Sequence, residues 1–149
     1  MSKFQFHLYL LAKIPISFLA GVRLKTLSDA ECATHVKLGW FNQNPFKSMF
    51  WAVQGMAAEF STGIMCADKI RKSGLKISML VTEQSAEFTK KAKGKIIFTC
   101  KQGQEIDAAI KSAIETSEGV EIKLYSEGKN QSGETVSKFQ FKWSFKVKN

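Results

Sequence analysis

The sequence is poor in the residues that would signal metal or thiol chemistry. Among 149 residues there are three cysteines and two histidines. Cys32, Cys66 and Cys100 are odd in number and far apart, with no C-x-x-C pair, so neither a zinc site nor a redox motif is expected. Buried thiols in a reducing, cytoplasmic compartment are the simpler reading. His7 and His35 have no second ligand spaced to join them, and no metal or other cofactor is expected. Internal repeats and low-complexity tracts are absent, and the length suits one domain over residues 1–149. Acidic side chains are scarce, 13 against 22 lysines and arginines, giving a net charge of +9. That balance favours acidic partners such as nucleotides, coenzyme A, RNA or an anionic membrane without choosing among them. A solvated basic surface with no partner explains it equally well. Long uninterrupted hydrophobic runs are also missing. Gln5, His7 and Lys13 break up the N-terminal apolar stretch, and Phe18 before Gly21 spoils a small-x-small cleavage pattern, so no export leader is expected.

What is present centres on Ser48–Asp68, SMFWAVQGMAAEFSTGIMCAD. Met49, Val53, Met56, Phe60 and Ile64 recur at helical spacing and predict a buried helix. Smaller residues gather on a second face: Ala52, Gly55, Glu59, Gly63 or Thr62, and Cys66. Glu59 is the only charged side chain between Lys47 and Asp68. A lone carboxylate in a row of glycine and alanine lets another chain or a ligand approach closely, and burial would raise its pKa. Gln54, Glu59, Ser61 and Thr62 near the middle make a membrane span costly, so a core helix is expected instead.

Around this helix the pattern is mixed. Residues 3–13 predict a short helix that breaks at Ile14-Pro15, with one more turn over Ile16–Ala20. Val22–Leu27 and Glu31–Trp40 alternate as strands. Asn44-Pro45 predicts the cap and first turn of the central helix, and Gly74 its C-terminal cap after Arg71 and Lys72. Lys76–Glu83 predicts a strand, followed by a ragged stretch to Lys93. Lys95–Lys101 predicts a buried strand and Glu105–Thr116 a helix. Val120–Glu127 and Thr135–Lys148 predict a hairpin, its second strand sending Phe139, Phe141, Trp143, Phe145 and Val147 inward. One hydrophobic helix among long alternating strands indicates an α+β architecture, an antiparallel sheet curled around the helix.

Three passages carry a family likeness: N-P-F-K-S-M-F-W-A-V-Q-G-M-A-A-E-F-S-T-G (Asn44–Gly63), E-F-T-K-K-A-K-G-K-I (Glu87–Ile96) and F-K-W-S-F-K-V (Phe141–Val147). With them the chain resembles hotdog-fold proteins of the thioesterase superfamily, within a thioesterase-like family catalogued as a domain of unknown function. The resemblance implies a homodimer joined edge to edge, sites between subunits, and cleavage of acyl-coenzyme A or acyl-carrier thioesters; stacking of dimers into tetramers is left open. It gives Glu59 the part of base or nucleophile. Asn44 would place water or the carbonyl, and a backbone N–H at the helix start would hold the thioester oxygen. Phe50, Trp51, Ala52, Gly55 and Ser78 are the expected substrate contacts. Relatives often carry His-Gly-Gly where this chain has Phe50-Trp51-Ala52, and Trp51 would crowd a pantetheine arm.

Other readings remain. Glu59 as a hydrogen-bonded glutamate at a dimer seam, and a non-catalytic module binding an acyl or other hydrophobic ligand, fit the same residues. Lys90, Lys91, Lys93 and Lys95, with Arg71 and Lys72, suit the phosphates of coenzyme A. A specific nucleic-acid interface is not expected, because the aromatics of the last strand alternate away from its lysines.

Overall fold

Alternation decides the sheet. In Thr135–Val147 (β6) every second side chain from Phe139 onward is large and apolar, and Phe139, Phe141, Trp143 and Phe145 are buried while Lys138 and Lys146 face solvent. The computed structural model describes residues 2–148. Its elements run α1 (Lys3–Lys13), α2 (Pro15–Leu19), β1 (Arg23–Leu27), β2 (Cys32–Lys37), a 3-10 turn (Trp40–Asn42), α3 (Trp51–Ser73), β3 (Ile77–Phe88), β4 (Lys95–Cys100), α4 (Gly103–Thr116), β5 (Val120–Lys129) and β6. The strands form one antiparallel sheet in the order β1-β2-β4-β5-β6-β3. α3 lies on its inner face, the hotdog arrangement anticipated from the sequence.

Hydrogen bonds as well as apolar burial hold α3 to the sheet. Thr34 donates to the carbonyl of Ala57 at 2.5 Å, Ser61 and Ser126 share a bond of 2.7 Å, and Ser137 donates to Gln54 at 2.9 Å. The Trp143 indole donates to Thr62 Oγ1 at 3.0 Å. Buried hydroxyls and amides satisfied in this way avoid the cost of stranded polar groups. The expected apolar stripe points sideways: Val53 and Ile64 are buried, Met56 and Phe60 half-buried, and Phe60 meets Phe6 of α1 edge-on. The small-residue column divides. Thr62 and Cys66 turn to the core, and Gly55 and Gly63 lie close over Phe139 and Trp143 of β6, whereas Glu59 is exposed and Ala52 half-buried.

Several local expectations are corrected. The helix begins at Trp51 with Phe50 at the N-cap and no side-chain cap, so Asn44 is not its cap. Gly74, at φ 71°, does close the other end. β2 stops at Lys37 rather than Trp40, because Asn42 turns the chain: Oδ1 accepts from Gly39 N–H, and the amide donates to Ala20 and Lys37 carbonyls. The stretch expected to be ragged after Glu83 is strand as far as Phe88. A bulge between Val81 and Glu83 shifts the alternation, and pairing with β6 carries the strand on. His35 is half-buried, and burial lowers its pKa.

The C-terminal turn of α3 contains a charge network around the buried Asp68. Asp68 accepts from Arg71 at 2.9 Å and Lys72 at 3.1 Å, and Lys72 also meets Asp29. Burial opposes the charge on Asp68, but the hydrogen bonds from Arg71 and Lys72 prevail and hold its pKa down at about 2. A depressed carboxyl contributes stability above the unfolded value near 3.9 and loses it as the pH falls towards 2. With both cations largely solvent-exposed, Asp68→Asn is expected to cost about 1–2 kcal/mol at neutral pH. The difference from wild type should vanish near the folded pKa; urea midpoints measured across the acid range check this, and an equal deficit at every pH would refute it.

Candidate functional site

The loop before α3 is built by Asn44. Its Oδ1 accepts from Phe46 N–H at 3.0 Å, Ser48 N–H at 3.2 Å and the Ser48 hydroxyl at 3.2 Å, while its carbonyl accepts from Lys47 N–H. Asparagine side chains close turns in this manner. Lys47 takes the left-handed conformation, φ 55°, to complete the turn. Phe50 N–H then donates to the Asn42 carbonyl, and Met49 N–H to Ala92. These bonds tie the helix start to the loop following β3. Among the described residues, the N–H groups of Trp51 and Ala52 have no acceptor within the chain, as expected of first-turn amides.

A cavity of about 610 Å³ opens at this point. Asn44, Pro45, Phe46, Phe50 and Trp51 form one wall, Phe88 and Thr89–Ala92 the other, and Met49 and Gln54 also line it. Most of this lining is apolar. Lys91 stands over the Phe46 ring, 5.9 Å from its centroid, and Lys90 pairs with Glu134. Four of the expected site residues, Asn44, Phe50, Trp51 and the adjoining Ala52, thus meet at one place. The sequence reading missed Gln54, Phe46 and Phe88. Gln54 had a signal, as the only side-chain amide in α3; here its Nε2 donates to Met49 and its Oε1 accepts from Ser137.

Glu59 is exposed, eight residues beyond Trp51 on the open side of the helix. That is roughly 12 Å along the axis. Helical side chains tilt towards the N-terminus, so the carboxylate reaches back in the direction of the cavity. Among the described residues it has no ion pair and no side-chain hydrogen-bond donor. Partial loss of hydration against the protein raises its pKa. Its backbone carbonyl accepts from Thr62, the residue that holds the Trp143 indole.

Two expected groups lie elsewhere within the chain. Ser78 opens β3 and donates to the Lys146 carbonyl, at the opposite end of that strand from Phe88, roughly 33 Å of extended chain away. Arg71 and Lys72 are held by Asp68 and Asp29 at the far end of α3, away from Lys90 and Lys91. Among the described residues no three metal-ligating side chains cluster, and no helix is long and apolar enough to cross a membrane.

Comparison with known proteins adds the following. No curated protein matches the chain in sequence. Among solved structures, a Pseudomonas aeruginosa protein described as a probable thioesterase is 19% identical, with a TM-score of 0.80 over 97% of this chain and 96% of its own. A Chlorobaculum tepidum protein of unknown function is 16% identical, with a TM-score of 0.84 over 99% and 94%. A Staphylococcus aureus thioesterase is 14% identical, with a TM-score of 0.61 over 84% and 93%; its solved variants replace a glutamine and a glutamate fifteen positions apart with alanine. These likenesses establish the hotdog fold. The model of the family described as domain of unknown function DUF4442 matches residues 3–145, and the chain belongs to that family.

Proposed function

We propose that the protein is a hotdog thioester hydrolase acting on acyl-coenzyme A or acyl-carrier thioesters, with Glu59 as its base or nucleophile. The observation that carries this reading is the pairing of an unpartnered, pKa-raised Glu59 with two free backbone N–H groups eight and seven residues before it, beside an apolar cavity. As base, the Glu59 carboxylate takes a proton from water while the water oxygen attacks the thioester carbonyl carbon. The developing oxyanion accepts hydrogen bonds from Trp51 and Ala52 N–H; these lie roughly 12 Å along the helix from the Glu59 of the same chain, so the base comes from one copy and the helix-start amides from the other. The C–S bond then breaks, the thiolate takes the proton from Glu59, and a carboxylic acid and a thiol leave. Asn44 keeps its side-chain N–H₂ free of any protein acceptor among the described residues, available to a carbonyl or water. Fifteen positions separate Asn44 from Glu59, as they separate the two altered residues of the Staphylococcus protein.

A homodimer completes the reading. β3 ends the sheet, and among the described residues no strand neighbours its outer edge. Antiparallel pairing with a second copy brings that copy's Ser78 towards the Phe88 end of β3, where the cavity lies. The three free cysteines suit a cytoplasmic setting. Phe50 and Trp51 at the cavity mouth favour a second reading, a module that binds an acyl group without cleaving it. Thiol release from acyl-coenzyme A thioesters of short, long and aromatic acyl groups separates the two. Turnover on one class is expected; saturable binding with no thiol release from any class would establish the second reading instead.

A further inference from the structure

Beyond the cavity, the protein carries an apolar surface that the fold leaves uncovered. α1 buries Phe6 and Leu10 in the core, yet its other side presents Phe4, 76% exposed, with Leu8 and Leu11 at helical spacing. Ile16 and Leu19 of α2 continue it in the open. Asn42 fixes the end of α2 against the Trp40–Asn42 turn through its bond to the Ala20 carbonyl, and there Trp40 is 84% and Phe41 67% exposed. A shallow hollow lined by Trp40, Asn44 and Pro45 joins this turn to the cavity wall, which shares Asn44 and Pro45 and ends in Phe46. The exposed apolar residues thus follow one another along the chain from α1 through α2 and the turn to the cavity wall. Exposed apolar surface of this extent marks a docking face.

Charge identifies what docks there. Residues 1–28 and 32–58 contain no aspartate or glutamate, and Lys3, Lys13, Lys37 and Lys47 stand exposed among the aromatics. Protein interfaces are depleted of lysine, whereas a tryptophan and phenylalanine surface rimmed by lysine suits the headgroup region of a negatively charged bilayer. We infer that this face lies on an anionic lipid membrane, with Trp40 and Phe41 entering the interface and the lysines meeting lipid phosphates. The cavity mouth then opens at the bilayer, next to acyl chains. This mooring does not depend on Glu59 being catalytic.

Flotation of the protein with vesicles tests it, comparing phosphatidylcholine alone with phosphatidylcholine mixed with phosphatidylglycerol. Binding to the anionic vesicles is expected, with a blue shift in tryptophan emission and weakening at high salt. The double variant Trp40→Ser, Phe41→Ser should bind at least about tenfold more weakly, and Lys13→Glu with Lys37→Glu should flatten the salt dependence. Both variants should keep the wild-type circular dichroism and any thioester turnover in lipid-free buffer. Absence of binding to either vesicle would overturn the proposal, as would undiminished binding of the double variant. A change in sedimentation of the double variant to a smaller species, without vesicle binding by the wild type, would assign the face to a second copy of the chain.

Discussion

Glu59→Gln is expected to lower thioester turnover by about 10²- to 10⁴-fold while leaving ligand affinity within a few-fold of wild type. The amide keeps the size of the side chain and most of its contacts but cannot take a proton from water. In the wild type, kcat/KM should rise with pH through a midpoint above the usual glutamate value of 4.5, because lost hydration raises this carboxyl. The variant's residual rate should lack that limb. Stability moves in the other direction. A carboxyl whose folded pKa lies above its unfolded one stabilises the fold most below the unfolded pKa, and that contribution is lost as pH rises through the folded value. The neutral amide escapes this loss, so the melting temperature of the variant at pH 7 should equal or exceed that of the wild type. Loss of turnover together with loss of melting cooperativity would mean that Glu59 holds the fold, and unchanged turnover would remove it from the chemistry.

The sheet was legible because its signals are local. Strict alternation in Phe139–Val147 and the polar loop before Thr135 define the β5–β6 hairpin, and Gly74 after Arg71 and Lys72 marks the end of α3. Glu59 stood out for a related reason: a single charge in twenty apolar or small residues is visible without coordinates. What local pattern did not reveal was set by partners distant in sequence. The second half of β3 has no alternation of its own and is strand because Ala86 and Phe88 pair with Phe139 and Ser137. Asn44 followed by Pro45 has the composition of a helix cap, but the bridge between Gln43 and Met49 delays the helix and leaves the asparagine to close a turn. Gln54, Phe46 and Phe88 line one cavity only after the loop following β3 folds back on the helix start, a contact made through Met49 and Ala92.

The largest effect on stability is expected from Trp143→Ala. The indole is 6% exposed beneath α3 and packs so closely on the helix that a Cβ at Gly63 would stand 3.1 Å from its ring. Its removal leaves a cavity that neither Gly63 nor its small neighbours can fill, a class of change costing about 3–5 kcal/mol. Against a total stability of roughly 5–15 kcal/mol, the melting temperature should fall by roughly 6–20 °C, read by calorimetry or by the urea midpoint. A shift equivalent to less than about 1 kcal/mol would show that the helix does not rest on this ring. Trp143→Phe isolates the polar part. It keeps most of the packing but removes the donor to Thr62 Oγ1, leaving that hydroxyl only its bond to the Glu59 carbonyl. That change should cost about 1–3 kcal/mol and loosen the helical turn that aims Glu59. If Glu59 is the base, the phenylalanine variant should therefore lose turnover through kcat, with KM little changed, although Trp143 lines no part of the cavity. A drop confined to KM would instead place the effect in the cavity and detach Glu59 from the support that β6 gives it.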